Sequence, residues 1–277
     1  SDDAIIFVGA TGIAVRSIAP YVKDKFYDPA VLVIDELGRY VIPLLSGHVG
    51  GANELAQYIG GALFATPIIT TATDINGAFA VDVFAKKHNL FISSRKLAKD
   101  VSAALLDKKP VDIDSDIDTF DVKELKKKLN PENKSCDIKV RISDKICDDG
   151  VLTLIPKDLY IGVGCKKDTD ASKLTDFVNE VFIKEGLDIR AVKSVGSIDI
   201  KKDEEAIKSL ANKLNVPFVT FTKDELNLVE GNFCESEFVK KVVGVGNVCE
   251  RSVCIQCKNL IVKKTAKDGM TVAIGRE

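Results

Sequence analysis

A glycine-rich segment around His48 is the strongest candidate for chemistry in this chain of 277 residues, which contains only two histidines. Gly47, Gly50 and Gly51 surround His48, and glycine lets a backbone approach a ligand closely or adopt a positive φ. Imidazole exchanges protons near neutral pH, which suits general acid–base catalysis. We therefore predict a catalytic role for His48, with a structural role as the alternative. The second histidine, His88, stands at the end of a predicted helix and is predicted to be structural.

Two polar residues beside His48 extend the candidate site. Ser46 lies two positions before it, so both side chains would point to one side of an extended chain, and a serine–histidine nucleophile pair is one alternative. The G-x-S-x-G motif of α/β hydrolases is not formed, because Leu44 stands where its first glycine would be. Asn53 follows the glycines, and we predict that it is the N-cap of a helix whose backbone N–H groups can bind an anion.

Polar residues also follow other predicted strands in the first part of the chain. Arg16 lies one turn into the helix after the first strand, Asp35 ends the second strand, and Thr71 and Asp74 end the fourth. In open α/β sheets, ligands bind beyond the carboxyl ends of the strands. We therefore expect these side chains to converge with the His48 segment into one pocket.

Two glycine turns in the last part of the chain are candidates for anion binding. Gly162 and Gly164 follow a predicted strand as the first two glycines of a dinucleotide fingerprint, but Lys167 stands at the third position. This departure disfavours a nucleotide and favours another anion, held by helix N–H groups and Lys166 or Lys167. Residues 244–250 form the second turn. Ordinary tight-turn glycines and surface charge are the alternative for both turns.

The cysteines favour packing over a metal centre. Cys249, Cys254 and Cys257 have the C-x4-C-x2-C spacing that begins a plant-type iron–sulfur motif. The residues between them favour a helix, which would place Cys249, Val253 and Cys257 on one face as buried apolar residues. Seven cysteines, an odd number, fit a reducing compartment. The alternating acidic residues at 112–118 lack the glycine and glutamate of an EF-hand loop, so they predict a solvated loop or edge strand.

These candidates are positioned by an alternation of strands and helices that is typical of an α/β protein. The predicted strands cover residues 5–8, 31–34, 40–43, 67–70, 139–142, 151–155, 160–163, 191–194, 218–221, 260–262 and 271–274. The predicted helices cover residues 12–24, 53–61, 76–88, 95–107, 121–129, 170–185, 203–214, 236–241 and 247–257. We predict two three-layer α/β/α domains with mainly parallel sheets, at 1–85 and 159–277, and a small charged α/β middle segment at 86–158.

Charge and hydropathy exclude several classes of protein. The chain has 39 basic and 41 acidic residues, for a net charge of -2, and neither half is basic. This balance argues against nucleic acid or an anionic lipid surface as the main partner. The uncharged window at residues 55–73 contains glycines, threonines and a proline, so it predicts a helix end, a turn and a strand rather than a membrane span. We expect a cytoplasmic protein without a membrane contact.

Segments in the first and last parts of the chain resemble those of a known family. The string of residues 42–56, which includes Ser46, Gly47, His48, Gly50 and Gly51, resembles the hallmark of the CbiG family of anaerobic cobalamin biosynthesis, as do residues 12–16, 28–31 and 70–74. In the last part, the residues that resemble its C-terminal domain, and also the CobE protein of the aerobic pathway, are 162–165, 197–198, Lys201, 203–204 and 248–250. The resemblance covers nearly the whole chain and is weak in the middle. The family usually has another strand and helix before this sequence starts.

The resemblance implies a hydrolase that opens the δ-lactone of cobalt-precorrin-5A and releases acetaldehyde, giving cobalt-precorrin-5B. Cobalt would arrive within the tetrapyrrole substrate, so neither a cofactor nor a protein metal site is implied. Arg16 and Lys201 suit the acetate and propionate groups of such a substrate. Transient contacts with other corrin-pathway enzymes fit this role, and the oligomeric state stays open. The rival interpretation is a non-catalytic carrier that protects a cobalt–corrinoid intermediate.

Our hypothesis for the site uses water as the nucleophile. His48 is the general base, or Glu54 if His48 only orients, and N–H groups near Asn53 stabilise the oxyanion. Asp74 completes the predicted catalytic set. The predicted substrate-binding residues are Arg16, Ser46, Gly47, Gly50, Gly51, Thr71, Gly162, Gly164, Lys201, Cys249 and Glu250.

Overall fold

The computed structural model describes residues 3–24, 27–48, 50–75, 79–117, 120–132, 134–147 and 149–277. By its internal contacts the chain divides into two units, each of which is described by itself. Unit 1 comprises residues 1–141 and 151–153, and unit 2 comprises residues 142–150 and 154–277. The three-part division into domains stays a prediction.

Strands and helices alternate along the chain, which confirms the predicted α/β class. The strands are β1 (Ala4–Val8), β2 (Ala30–Ile34), β3 (Tyr40–Leu45), β4 (Thr66–Pro67), β5 (Leu90–Ile92), β6 (Asp112–Ser115), β7 (Lys139–Ile142), β8 (Leu152–Pro156), β9 (Leu159–Gly164), β10 (Val192–Ile198), β11 (Phe218–Phe221), β12 (Asn259–Lys267) and β13 (Met270–Arg276). The helices are α1 (Thr11–Ile18), α2 (Ala52–Leu63), α3 (Ala72–Ile75), α4 (Val81–Lys87), α5 (Arg95–Leu106), α6 (Val122–Leu129), α7 (Ala171–Lys184), α8 (Glu205–Leu214), α9 (Lys223–Leu228), α10 (Glu237–Val243) and α11 (Val248–Gln256).

The first sheet has the strand order β1-β2-β3-β4 and mixes both pairing directions. β1 and β2 are parallel, β2 and β3 form an antiparallel hairpin, and β3 and β4 are parallel. The hairpin turns at Asp35, whose Oδ1 accepts hydrogen bonds from the backbone N–H of Arg39 and Tyr40 at 2.6 and 2.7 Å. The Tyr40 N–H, together with that of Arg39, lowers the pKa of the Asp35 carboxyl. Asp35 therefore stabilises a turn.

Several element boundaries differ from the prediction. The first helix ends at Ile18 and not at residue 24, because Pro20 has no N–H with which to continue it. The predicted strand at 67–70 is only the two residues of β4. The predicted helix at 76–88 is observed from Val81, and its residues 76–78 lie outside the described residues. β5, α3 and α9 were not predicted.

The middle sheet has the order β5-β8-β7-β6, with β6 at one edge. This confirms the edge-strand alternative for the acidic residues at 112–118, of which Asp118 lies outside the described part of the chain. Asp112 and Asp114 contact basic side chains, Lys126 at 3.3 Å and Arg141 at 3.7 Å. The acidic run is therefore balanced by neighbouring basic residues.

Unit 2 is built on a five-stranded sheet with the order β11-β10-β9-β13-β12. β9, β10 and β11 are parallel, whereas β13 is antiparallel to both β9 and β12. One face buries Ile161, Val195 and Val272 against α7 and α8. The other face buries Tyr160 and Ala273 against α11, which gives unit 2 three layers.

Helix α11 confirms the interpretation of the cysteine spacing. Cys249 and Val253 lie on its sheet-facing side, and Cys257, which directly follows its last residue, joins them in one buried cluster. Burial raises the pKa of the Cys249 thiol to about 12 and that of Cys257 to about 11. Both groups are therefore neutral, buried thiols near neutral pH.

No described helix combines the length and the apolar composition needed to cross a membrane. The uncharged window at 55–73 is instead divided between the end of α2, a turn, β4 and the start of α3.

Candidate functional site

The His48 segment forms a closed backbone turn between β3 and α2. Ser46 has φ +55°, and its carbonyl accepts a hydrogen bond from the N–H of Ala52 at 3.2 Å. The carbonyl of Gly47 accepts from Asn53 N at 3.0 Å, and that of His48 accepts from Gly51 N at 3.0 Å. The end of the strand and the start of the helix are thereby held together around His48.

The glycines of this turn are required by close approaches within the protein. A Cβ on Gly50 would lie 2.3 Å from the Cβ of Ser46, and a Cβ on Gly47 would lie 2.9 Å from Oδ1 of Asn53. Gly51 has φ +86°, a left-handed conformation that side chains other than glycine rarely adopt. The glycines therefore allow the turn to close, and their predicted contacts with substrate stay predictions.

His48 faces a carboxylate that the sequence analysis did not identify. Its Nδ1 lies 3.7 Å from Oδ1 of Asp82 at the start of α4, and the two side chains are 14% and 17% exposed. The same Asp82 oxygen accepts a hydrogen bond from Val83 N at 3.0 Å. A carboxylate in this position can orient the imidazole and stabilise the cation formed when His48 takes a proton. Thirty or more residues separate the two in sequence, so no local pattern indicates the pair.

Asn53 is buried in the first turn of α2, so the prediction that it is the N-cap is wrong. The N-cap is Gly51, and the N–H of Asn53 is already bonded to Gly47. Its side-chain Nδ2 donates to Oγ1 of Thr71 at 3.0 Å, which brings two of the predicted site residues together. The Asn53 N–H therefore already has an acceptor within the protein.

The other predicted polar residues near the turn have different surroundings. The hydroxyl of Ser46 donates to the carbonyl of Asp28 at 2.9 Å. Glu54 is exposed on α2. Asp74 lies in the short helix α3, and its side chain is outside what the structure describes.

The predicted convergence of all strand ends on one pocket is wrong. Because β3 runs antiparallel to β2, Leu45 pairs with Val31, and the His48 turn lies beside the start of β2. Asp35 and the end of β1 lie at the other end of these strands. The Arg16 guanidinium is there too, near Gly12. β4 is parallel to β3, which explains why Thr71 does reach the His48 side of the sheet.

Unit 2 contains a separate cavity of about 920 Å³ beyond the carboxyl ends of β9 and β10. Three of the predicted substrate-binding residues, Gly164, Lys201 and Cys249, line it. The position at the ends of neighbouring parallel strands is the expected place for a ligand in an α/β sheet. Lys201 Nζ donates to Glu204 Oε2 at 2.8 Å, so this ammonium group is paired within the wall.

The predicted binding residues Gly162 and Glu250 do not line this cavity. Gly162 lies beneath α11, and a Cβ there would be 1.9 Å from the carbonyl oxygen of Cys249. Glu250 is 1% exposed, and its carboxylate accepts hydrogen bonds from Asn247 Nδ2 at 2.6 Å, Lys264 N at 2.7 Å and Cys234 N at 3.2 Å. This carboxylate ties α11 to the neighbouring segments.

Three exposed apolar side chains that the sequence analysis did not identify also line the cavity. They are Ile200, Phe238 and Val242, which are 62%, 76% and 65% exposed. Phe238 and Val242 are spaced i, i+4 on α10, a spacing that indicates a shared face but not what the face contacts.

Comparisons with known proteins identify the family. The model described as Cobalamin synthesis G N-terminal matches residues 1–74, Cobalamin biosynthesis central region matches 79–156, and Cobalamin synthesis G C-terminus matches 159–275. The cobalt-precorrin-5A hydrolase of Salmonella typhimurium is 38% identical, across 98% of this chain and 81% of its own length. The cobalt-precorrin-5A hydrolase of Priestia megaterium is 31% identical, across 98% of this chain and 78% of its own length.

Solved structures of related proteins are also similar. A cobalamin biosynthesis protein G homologue of Sulfolobus solfataricus is 29% identical, with a TM-score of 0.38, over 99% of this chain and 82% of that one. CobE, a protein of the vitamin B12 pathway, is 22% identical, with a TM-score of 0.41, over 43% of this chain and 89% of that one. The three matching family models and the two near-full-length relatives carry the conclusion that this chain belongs to the CbiG family of cobalamin biosynthesis proteins.

Proposed function

We propose that this chain is a cobalt-precorrin-5A hydrolase, which opens the δ-lactone of its substrate and releases acetaldehyde to give cobalt-precorrin-5B. The observation that carries the proposal is the 38% identity to the Salmonella typhimurium protein of that name across 98% of this chain. In this proposal the cobalt enters within the tetrapyrrole, as part of the substrate. A cytoplasmic location fits this role and stays a prediction.

The His48 turn supports the proposal because it can supply the base that lactone opening needs. Since Nδ1 lies 3.7 Å from the Asp82 carboxylate, our mechanism assigns Nε2 as the nitrogen that takes a proton from water. The oxygen of that water attacks the lactone carbonyl, and the ring C–O bond breaks as the tetrahedral intermediate collapses. The products of this step are a carboxylic acid, which loses its proton to solvent, and a freed alkoxide.

The carbon fragment leaves in a second step. Collapse of the alkoxide to an aldehyde breaks the carbon–carbon bond to the macrocycle in a retro-aldol-like reaction. The electron pair of that bond stays on the macrocycle, where the ring carbon takes up a proton. Protonated His48, stabilised by the Asp82 carboxylate, is in our proposal the source of that proton.

The proposal is tested by anaerobic incubation of the chain with cobalt-precorrin-5A and measurement of acetaldehyde. We expect catalytic release from the unaltered chain, and a His48→Ala variant that is slower by about 10²–10⁴-fold if His48 is the general base. His88→Gln, which changes the other histidine, is the matched control and should keep full turnover.

Two results would contradict parts of this proposal. Stoichiometric binding of the substrate without acetaldehyde would contradict the hydrolase activity. Normal turnover by His48→Ala would leave the activity and remove His48 from the mechanism.

A further inference from the structure

Helix α10 is apolar on two sides, and the protein covers only one of them. Val239 and Val243 pack against the buried cluster that contains Ile198 and Leu226. Phe238 and Val242, on the other side, are largely exposed and face the cavity of unit 2. An ordinary surface helix has one apolar side and one polar side, so the second apolar side of α10 needs a partner.

A side chain outside α10 adds to this apolar surface. Ile200, which follows β10, lines the same cavity and is also largely exposed. A volume of about 920 Å³ lies at the upper end of the roughly 300–1,000 Å³ of typical small-molecule pockets. The cavity is therefore large enough for a broad ligand with an apolar face.

Most of the carboxylates that line this cavity are already paired with lysines of the protein. Lys201 pairs with Glu204 at 2.8 Å. Lys208 contacts both Asp203 at 3.4 Å and Glu205 at 3.6 Å.

Three lysines of the lining, Lys166, Lys167 and Lys264, have no carboxylate within ion-pair distance among the described residues. Among the residues that the structure describes, Asp168 is the one carboxylate of the cavity lining without a lysine or arginine partner. Lys208 is shared by Asp203 and Glu205, so the four lining lysines and Lys208 together exceed the four lining carboxylates by one positive charge. This excess, and the lysines that have no carboxylate partner, favour a ligand that carries anionic groups.

We infer that this cavity is the site that binds the tetrapyrrole macrocycle, with a ring face against Phe238 and Val242 and its carboxylates toward Lys166 and Lys167. This inference rests on the proposed function, because that function supplies a ligand that is both broad and polycarboxylated. It assigns roles to Ile200, Phe238 and Val242 as the apolar wall of the site.

A binding experiment with the full chain tests the apolar wall. Uroporphyrin III, a flat tetrapyrrole with acetate and propionate groups, serves as the probe, and its fluorescence anisotropy reports binding. Phe238→Asp and Val242→Asp should each weaken binding by at least about tenfold, because an apolar contact becomes a buried charge. Leu228→Asp is the matched control, since Leu228 is exposed on α9 and does not line the cavity.

A charge reversal tests the cationic side. The double variant Lys166→Glu/Lys167→Glu should weaken uroporphyrin III binding by about tenfold or more, and this effect should shrink as salt is added. Lys213→Glu is the control, because Lys213 is an exposed residue of α8 that does not line the cavity. This variant should change the affinity by less than about threefold. Circular dichroism verifies that each variant is folded, which is expected because the changed side chains are exposed.

The outcomes separate this inference from the proposed hydrolase activity. Absence of uroporphyrin III binding to the unaltered chain, or equal affinities for Phe238→Asp and Leu228→Asp, would overturn the cavity assignment even if acetaldehyde is released. A chain that binds the probe through the cavity but releases no acetaldehyde would support the assignment and contradict the proposed activity.

Discussion

Glycines that look alike in the sequence have different structural roles in the two units. In unit 1, Gly47 and Gly50 let a backbone turn close on itself beside the buried side chain of Asn53. In unit 2, Gly162 and Gly275 lie on neighbouring strands directly beneath α11, where a Cβ would meet a helix carbonyl or helix side chains. The first set shapes a loop that presents His48, and the second set lets a helix lie close to a sheet.

The difference shows that a glycine-rich motif indicates close contact with the backbone. It does not indicate whether the contacting group is a ligand or another part of the protein. The sequence analysis predicted ligand contacts for Gly47, Gly50 and Gly162. In unit 2 the approaching group is the carbonyl of Cys249, so the Gly162 position is filled by the protein itself. Substitutions at the two sets should consequently have different effects, with stability dominating in unit 2.

Gly162→Ala should have the largest effect on stability. Its Cβ would lie 1.9 Å from a backbone oxygen of α11, so the helix or the strand has to move. Overpacking of this kind costs about 3 kcal/mol of unfolding free energy, which chemical denaturation of the variant measures.

Thiol alkylation gives a second measurement for the same variant. In the unaltered chain the buried, neutral thiols of Cys249 and Cys257 should react far more slowly than the exposed Cys234. Displacement of α11 by Gly162→Ala should make both reactive. Gly61→Ala is the control, because Gly61 is helical with open space around it, and we expect no loss of stability. Equal stability of the two variants would contradict the packing role of Gly162.

Asp82→Asn should have the largest effect on chemistry after loss of His48 itself. If the unit 1 turn serves to hold His48 against this carboxylate, kcat should fall by about tenfold to a hundredfold while KM is unchanged. The ring ¹⁵N chemical shifts of His48 should show a change of tautomer, because the amide no longer selects Nδ1–H. Only two histidines have to be distinguished, which makes the assignment direct.

Asp100→Asn is the matched control, since Asp100 is exposed on α5. An unchanged tautomer in Asp82→Asn, with normal kcat, would refute the positioning role.

Gly51→Ala should have the smallest effect. A Cβ at this position has open space, so only the positive φ opposes it, at a cost of about 1 kcal/mol in unfolding free energy. Gly51→Asn should cost less, because asparagine tolerates this conformation better. A cost for Gly51→Ala as large as that of Gly162→Ala would contradict the distinction between a glycine that only needs a positive φ and one that is packed against a helix.

The sequence by itself determined the local elements and the class of fold. The hydrophobic alternation predicted most strands and helices, as at β7 and β11, whose bounds agree with the prediction. The spacing of Cys249, Val253 and Cys257 predicted a buried helix face correctly, since that pattern depends only on the helical period. The string around His48 was sufficient to indicate the family, which the comparisons confirm.

Only the tertiary structure decided which residues meet. The Asp35 turn makes β3 antiparallel to β2, and this one reversal places Asn53 beside Thr71 and the His48 turn away from Arg16. The contact of His48 with Asp82, and the exposure of Phe238 and Val242 to a cavity, depend on packing between elements far apart in the chain. Periodicity records how one element folds and which face is apolar, but strand direction and distant side-chain pairs are fixed by how the elements assemble.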